Sequence, residues 1–174
     1  MVDITRPDTP TEIESPTIAD LETLAERWVE LARGQLAYGS HLRPTANRGL
    51  VRDTIAHHVA TGGVLVARTT DEAQSTIVGF VMFAPESGQY DQDVTRGVIQ
   101  NLYVVPDWRD AGIGEALLTA AESRLAEIGM DVVTLDAMAE NEAARRFYRR
   151  QGYYVHRVEL EKRVENDNKT RQDG

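Results

Sequence analysis

Between Leu102 and Glu115 the sequence reads LYVVPDWRDAGIGE. Its centre, Arg109, Asp110, Ala111, Gly112, Ile113 and Gly114, has the composition of an anion site. An apolar stretch halts at Pro106, a short polar loop follows, and a helical pattern opens at the glycines. The first turn of a helix carries N–H groups with no intrahelical partner. Its aligned peptide dipoles place positive potential at the same end. Glycine lets a phosphate approach the backbone with no Cβ in the way. Arg109 adds charge and donors beside the glycines. A diphosphate fits such a site. The two commonest phosphate motifs do not match: position 117 is Leu where G-x-G-x-x-G needs Gly, and no G-K-[S/T] occurs. A lone G-x-G also occurs at plain helix entries, so the loop by itself fixes no function.

The chemistry open to other residues is narrowed by what the chain lacks. There is no Cys, which excludes a disulfide framework, a thiolate metal site and a cysteine nucleophile. No His/Asp/Glu spacing argues for a metal. Acidic residues number 28 against 19 basic, for a net charge of −9, and no basic cluster offers the footprint a nucleic acid needs. The acid excess suits either a solvated surface adapted to salt, the simpler reading, or steering of a cationic substrate. No apolar run approaches a membrane span, and MVDITRPDTPTEIESP has no apolar leader core. A cytoplasmic protein with no membrane partner is expected.

The elements that must position the loop can be read from periodicity. A short strand is expected near Asp3–Arg6. Thr17 and Asp20 form a capping-box pattern before a helical stripe of Ile18, Leu21, Leu24, Ala25, Trp28, Leu31 and Ala32, ended by Gly34 or Gly39. A second helix covers 50–60 and stops at Gly62–Gly63. Residues 64–68 and 76–83 read as an antiparallel hairpin, and 98–105 as a third strand. A long helix follows over 112–128, with Ile113, Ala116, Leu117, Ala120, Ala121, Leu125 and Ile128 facing inward and Gly129 as its cap. Residues 132–136 form a strand, 141–151 a helix closed by Gly152, and 153–163 a last strand. His57 and His58 are expected on the exposed side of the second helix. The order βααβββαβαβ predicts an α/β (α+β) domain over residues 1–164. The tail 165–174, ENDNKTRQDG, has no apolar residue and is expected to be disordered.

Leu102-x-Val104-x-Pro106 followed by Arg109-x-x-Gly112-x-Gly114 resembles the acetyl-CoA-binding motif of the GCN5-related N-acetyltransferase (GNAT) superfamily. Asn141-x-x-Ala144-x-x-Phe147-Tyr148-x-x-x-Gly152-Tyr153 resembles that superfamily's second signature, at the right distance downstream. The resemblance implies a mixed, mostly antiparallel sheet with helices on both faces and a splayed strand pair that holds the cofactor. It implies that the amides of Arg109, Asp110, Ala111, Gly112, Ile113 and Gly114 hold the pyrophosphate, and that backbone around Leu102, Tyr103 and Val104 holds the pantetheine and the acetyl carbonyl. Acetyl transfer from acetyl-CoA directly to a primary amine is then expected, with Tyr148 as general acid at the sulfur. Asn141 is expected to bond the pantetheine or, equally, to cap the following helix.

Asp136 is the first candidate for general base and Glu140 the second, since Val98, Ile99, Gln100 and Asn101 offer no titratable group where many relatives carry Glu. The acceptor, a small-molecule amine or a peptide N-terminus, is expected among Tyr38, His41, Arg43, Tyr90, Asp91 and Asp93. For His41 a surface or capping role is the simpler reading. A homodimer is compatible with the resemblance. The alternative function is a non-catalytic acetyl-CoA-binding sensor or partner module, which has no need of Tyr148 or Asp136.

Overall fold

A computed structural model describes residues 10–71, 74–88 and 90–164 of the 174-residue chain. The strand expected near Asp3–Arg6 and the tail 165–174 lie outside these residues. The first described strand, β1, is Thr11–Glu14, and a 3-10 turn at Ile18–Asp20 leads into α1, Leu21–Leu36. The capping box forms as expected: the Thr17 hydroxyl accepts from the Ala19 amide, and the Asp20 carboxylate accepts from the Thr17 amide at 2.9 Å. Arg68 bonds both Glu14 and Asp20, so this corner is tied to the sheet. Gly34 does not end the helix, which runs on to Leu36.

The remaining elements are α2 (Arg48–Thr61), β2 (Val64–Thr69), β3 (Ile77–Pro85), β4 (Arg96–Val104), α3 (Ile113–Glu127), β5 (Val132–Leu135) and α4 (Glu142–Arg150). The five strands lie in the order β1-β2-β3-β4-β5. Every neighbouring pair is antiparallel except β4–β5, which is parallel. One face carries α1 and α2 over Leu24, Ile55, Val66, Phe80 and Tyr103; the other carries α3 over Ala67, Val81, Ile99, Val104, Leu117 and Leu125. Burying one such aliphatic side chain contributes roughly 1.5–3 kcal/mol. Gly79 makes the α3 contact possible, since a Cβ there would stand 2.9 Å from the Tyr103 carbonyl and 3.1 Å from Leu117.

β4 has one irregularity. Met82 pairs with Asn101 but Phe83 with Ile99, leaving Gln100 as an extra residue. Before it the odd positions Gly97 and Ile99 face α3; after it the even positions Leu102 and Val104 do.

Three sequence expectations are corrected. Residues 153–163 form no strand: they run without ladder pairing, and nearly every residue is exposed. In α3 the inward stripe includes Leu118, whereas Ala116 is exposed and Ile128 is 57% exposed. The helix settles onto the sheet by a rotation that favours the larger Leu118. His58 is buried, only 7% exposed, rather than solvent-facing. Its Nδ1 donates to the Thr54 carbonyl at 2.9 Å, and its Nε2 has no hydrogen-bond partner among the described residues.

Candidate functional site

Pairing between β4 and β5 runs through Arg96–Val132, Gly97–Val133, Val98–Thr134 and Ile99–Leu135, and then stops. β4 continues to Val104 with no strand opposite it on that side among the described residues. The result is a gap bounded by the second half of β4. The Val105 amide donates to the Val78 carbonyl on β3 at 2.8 Å. Polar groups alternate sides along a strand, so the amides of Leu102 and Val104 point away from β3, into the gap. The Val104 carbonyl on the same side is taken by Arg109, whose Nε donates to it at 2.9 Å. The gap wall therefore presents the Val104 amide with its carbonyl covered.

After β4 the chain turns at Pro106–Trp108 and reaches α3 through two left-handed residues. Asp110 has φ +60°, the one non-glycine residue with positive φ among the described residues, and Gly112, the N-cap of α3, has φ +82°. Alternation of left-handed residues turns successive N–H groups to one side, the geometry of an anion-binding concavity. The amides of Asp110, Ala111, Gly112 and Ile113 make no hydrogen bond among the described residues, and the first helical bond runs from Ala116 N–H to the Gly112 carbonyl at 3.0 Å. No side chain caps this end.

The expected reason for Gly112 needs adjusting. A Cβ there would meet nothing within 4 Å among the described residues, so its backbone angle is what demands glycine. Gly114 has no such angle. A Cβ on it would lie 3.6 Å from Phe147 and 3.8 Å from Val104, which shows how closely α3, α4 and β4 converge at this point.

Arg109 is not aimed at the loop alone. Besides holding Val104, its guanidinium lies 5.7 Å from the centre of the Tyr103 ring. The Tyr103 side chain points to the opposite sheet face, where its hydroxyl donates to Glu30 at 3.1 Å. Glu30 also receives Arg27 through both carboxylate oxygens at 3.0 Å, and Arg27 Nε donates to the Ile77 carbonyl at 3.2 Å. Burial, and then the Glu30 carboxylate, push the Tyr103 hydroxyl above its usual range. Sequence reading missed Arg27 and Glu30. Their i,i+3 spacing on α1 was visible, but the partner lies 73 residues away.

On α4, Asn141 is the N-cap: its Oδ1 accepts from the Ala144 amide at 3.1 Å. Its side-chain NH2 group is left to donate to another partner. Tyr148 packs between Phe147 and Tyr153, with ring centres 5.2 and 5.8 Å away in edge-to-face arrangements. Burial pushes its hydroxyl up to about 12, so it keeps its proton through the neutral range. Tyr153 is fixed by a 2.6 Å hydrogen bond to Glu122, and burial with that carboxylate raises its hydroxyl far above the ordinary range.

Asp136 lies just past the end of β5, where β5 has parted from β4. It is exposed and makes no hydrogen bond or ion pair among the described residues. Glu140 is exposed nearby, before α4. The residues expected around an acceptor come from two separate connections. His41 and Arg43 sit in the α1–α2 connection, where His41 Nε2 meets Glu161 at 3.0 Å. Tyr90, Asp91 and Asp93 precede β4, at the end of that strand away from residues 109–114, and no hydrogen bond or ion pair joins them to 38–43. A cavity of about 330 Å³ opens across the sheet at the β1–β2 edge, but its Arg68 is already committed to Glu14 and Asp20. Among the described residues no group of three or more His, Cys, Asp or Glu could hold a metal ion, and no helix is long and apolar enough to cross a membrane.

The model of the acetyltransferase (GNAT) family matches residues 25–153, most of the chain and both halves of the gap. A mycothiol acetyltransferase from Propionibacterium freudenreichii subsp. shermanii is 38% identical over 95 residues; the match covers 53% of this chain and 28% of that relative's length. A GCN5-related N-acetyltransferase from Ralstonia eutropha JMP134 superposes with TM-score 0.69 at 26% identity, covering 89% of this chain and 99% of that one. The aminoglycoside N-acetyltransferase AAC(6')-Iy, solved in complex with CoA, superposes with TM-score 0.67 at 14% identity over 89% of this chain and 95% of its own, a likeness of fold.

Proposed function

Because the chain belongs to the acetyltransferase (GNAT) family, a class of acetyl-CoA-dependent N-acetyltransferases, we propose that it moves the acetyl group directly onto a primary amine carried by a small molecule or a peptide N-terminus. One observation carries the reading. β4 leaves β5 after Ile99–Leu135, and the open strand runs straight into a turn of unpaired amides at Asp110–Ile113. A gap lined by donors and ending in an anion cradle has the shape of a long thioester with a diphosphate at one end.

In this reading the amides from Asp110 to Gly114 hold the diphosphate; the Arg109 amide, expected among them, is taken by the Pro106 carbonyl at 3.2 Å, and the Arg109 side chain sets the end of β4 against the loop. The backbone of Leu102, Tyr103 and Val104 lies along the arm, and Asn141 reaches it with its side-chain amide. The amine nitrogen attacks the thioester carbonyl carbon and the carbon–sulfur bond breaks. An amide of the open strand, Leu102 or Val104, is a fixed donor for the charge that develops on the carbonyl oxygen. Tyr148 gives its proton to the departing sulfur, and Asp136, through water, takes one from the attacking amine. No nucleophile of the protein is needed, in keeping with the absence of Cys.

Titration calorimetry with acetyl-CoA tests the cradle. CoA release against a panel of polyamines, aminoglycosides, amino acids and short peptides, at low and at molar salt, then finds the acceptor. Heat on addition of acetyl-CoA and release with one class of amine are expected. A folded protein that gives no heat at any ionic strength overturns the reading.

A further inference from the structure

The way α4 ends fixes what Tyr148 touches. The Gly152 amide donates to the Arg149 carbonyl and the Tyr153 amide to the Tyr148 carbonyl, both at 3.0 Å, and Gly152 has φ +93°. In this pattern the residue after a left-handed glycine folds back onto the last turn of the helix. Tyr153 therefore lies against Tyr148, with ring centres 5.8 Å apart and planes at 68°. An apolar contact between these two positions commonly accompanies such a helix end, so the ring contact alone says nothing about function. The Tyr153 hydroxyl goes further. It donates to Glu122 on α3 at 2.6 Å, the short length of a charge-assisted bond.

Tyr148 has need of that support. Its own hydroxyl makes no hydrogen bond among the described residues, so packing alone holds the ring. On its other side is Phe147, ring centre 5.2 Å away, which reaches the first turn of α3 where a Cβ on Gly114 would lie 3.6 Å from it. Glu122 stands eight residues further along α3, about 12 Å and two turns away. The two ring neighbours of Tyr148 are thus tied to α3 at separate places. Packing fills the space around a ring, whereas a hydrogen bond has direction. Half-burying a carboxylate to hold a side chain that packing already holds costs free energy, and orientation is what the bond adds.

We propose that Glu122 and Tyr153 are positioning residues for acetyl transfer: their hydrogen bond sets the Tyr148 ring at the angle from which its proton reaches the departing sulfur. The proposal rests on Tyr148 being the general acid. A reacting group misplaced by about 1 Å can cost about 10²-fold in rate, so a hydrogen bond two contacts away from the sulfur can matter to turnover while touching neither substrate.

Kinetics on the full chain test this with the amine that supports release of CoA. Glu122→Ala and Tyr153→Phe should each lower kcat by about tenfold, within the range for such a misplacement, and leave the acetyl-CoA dissociation constant nearly unchanged. Together they should cost no more than either alone, and each should cost little in a Tyr148→Phe background. Glu122→Gln, which keeps an acceptor oxygen for the Tyr153 hydroxyl, should retain most of kcat. Tyr153→Phe leaves no buried group unpaired, so it serves if Glu122→Ala folds poorly; melting temperatures decide that. A readout free of the reaction comes from NMR of the six tyrosines labelled with 13C in the ring. The Tyr148 signal, identified by its loss in Tyr148→Phe, should shift in Glu122→Ala and in Tyr153→Phe. An unmoved Tyr148 signal overturns the proposal alone. So does a full kcat in both variants, or a loss of kcat that persists undiminished without the Tyr148 hydroxyl. A Tyr148→Phe chain with full kcat overturns the acid assignment and this proposal with it.

Discussion

The proton on Tyr148 is kept by burial among aromatic rings, which raises the hydroxyl to about 12. A general acid works only while protonated, so activity that depends on it should be lost only as pH rises toward 12, and no alkaline limb from Tyr148 should appear below that. Tyr148→Phe should cut kcat by roughly 10²–10⁴-fold while moving the acetyl-CoA dissociation constant by a small factor. Steady-state kinetics beside calorimetry check this, and an unchanged kcat on the true acceptor removes the assignment. Asp136→Asn should cut kcat/KM by roughly 10²–10⁴-fold; an unaltered kcat/KM would return the base role to Glu140 or to none. At this scale legibility followed sequence distance. Asn141 as a cap was readable because Ala144 is three residues away. The Tyr103–Glu30–Arg27 network was not, because neither periodicity nor local propensity says which residues of α1 meet β4.

The entry to α3 is where an element and a function coincide. Gly112 is held at φ +82°, a conformation that costs an L residue roughly 1–2 kcal/mol. Gly112→Val should lower the melting temperature and weaken acetyl-CoA binding together, whereas Gly114→Ala, with an ordinary 3.6 Å contact to Phe147, should leave the melting temperature nearly unchanged. Thermal melts and calorimetry on the two variants separate the effects. Gly79→Ala drives a Cβ against the Tyr103 carbonyl, and overpacking of that kind costs about 1–3 kcal/mol; a denaturant midpoint shift reads it. Elements with strong local signals, such as α1 with its capping box or α3 between Gly112 and Gly129, were legible in the sequence nearly to their ends. The last strand was legible as a preference and then not formed, because a strand is completed only by a neighbour. In this chain β5 does not provide one for 153–163.

At the scale of the whole molecule, the net charge of −9 works against compactness through self-repulsion. The screening length falls to about 3 Å at 1 M salt, so raising NaCl from about 0.1 M to 1 M should raise the melting temperature; a fall would mean that ion pairs such as Arg68–Asp20 and Arg96–Glu86 outweigh the repulsion. Acid should act in the opposite sense. Burial pushes the Asp20 carboxyl up, but the Thr17 amide and Arg68 outweigh it and leave it below its usual range, and the Thr95 amide does the same for Asp131. Groups lowered in the folded state lend stability at neutral pH that is lost as pH falls through their folded values. The melting temperature should therefore drop below about pH 4. The extra residue at Gln100 reaches across the same scale. It puts the two halves of β4 out of step, so that odd residues before it and even residues after it line the α3 side. Deleting that single residue would force one half to roll over: either Gly97 and Ile99 desert α3, or Leu102 and Val104 do and their amides swing back toward β3. A length change of one would thus exchange the groups that face a ligand for those that bind the sheet together, with every side chain otherwise intact.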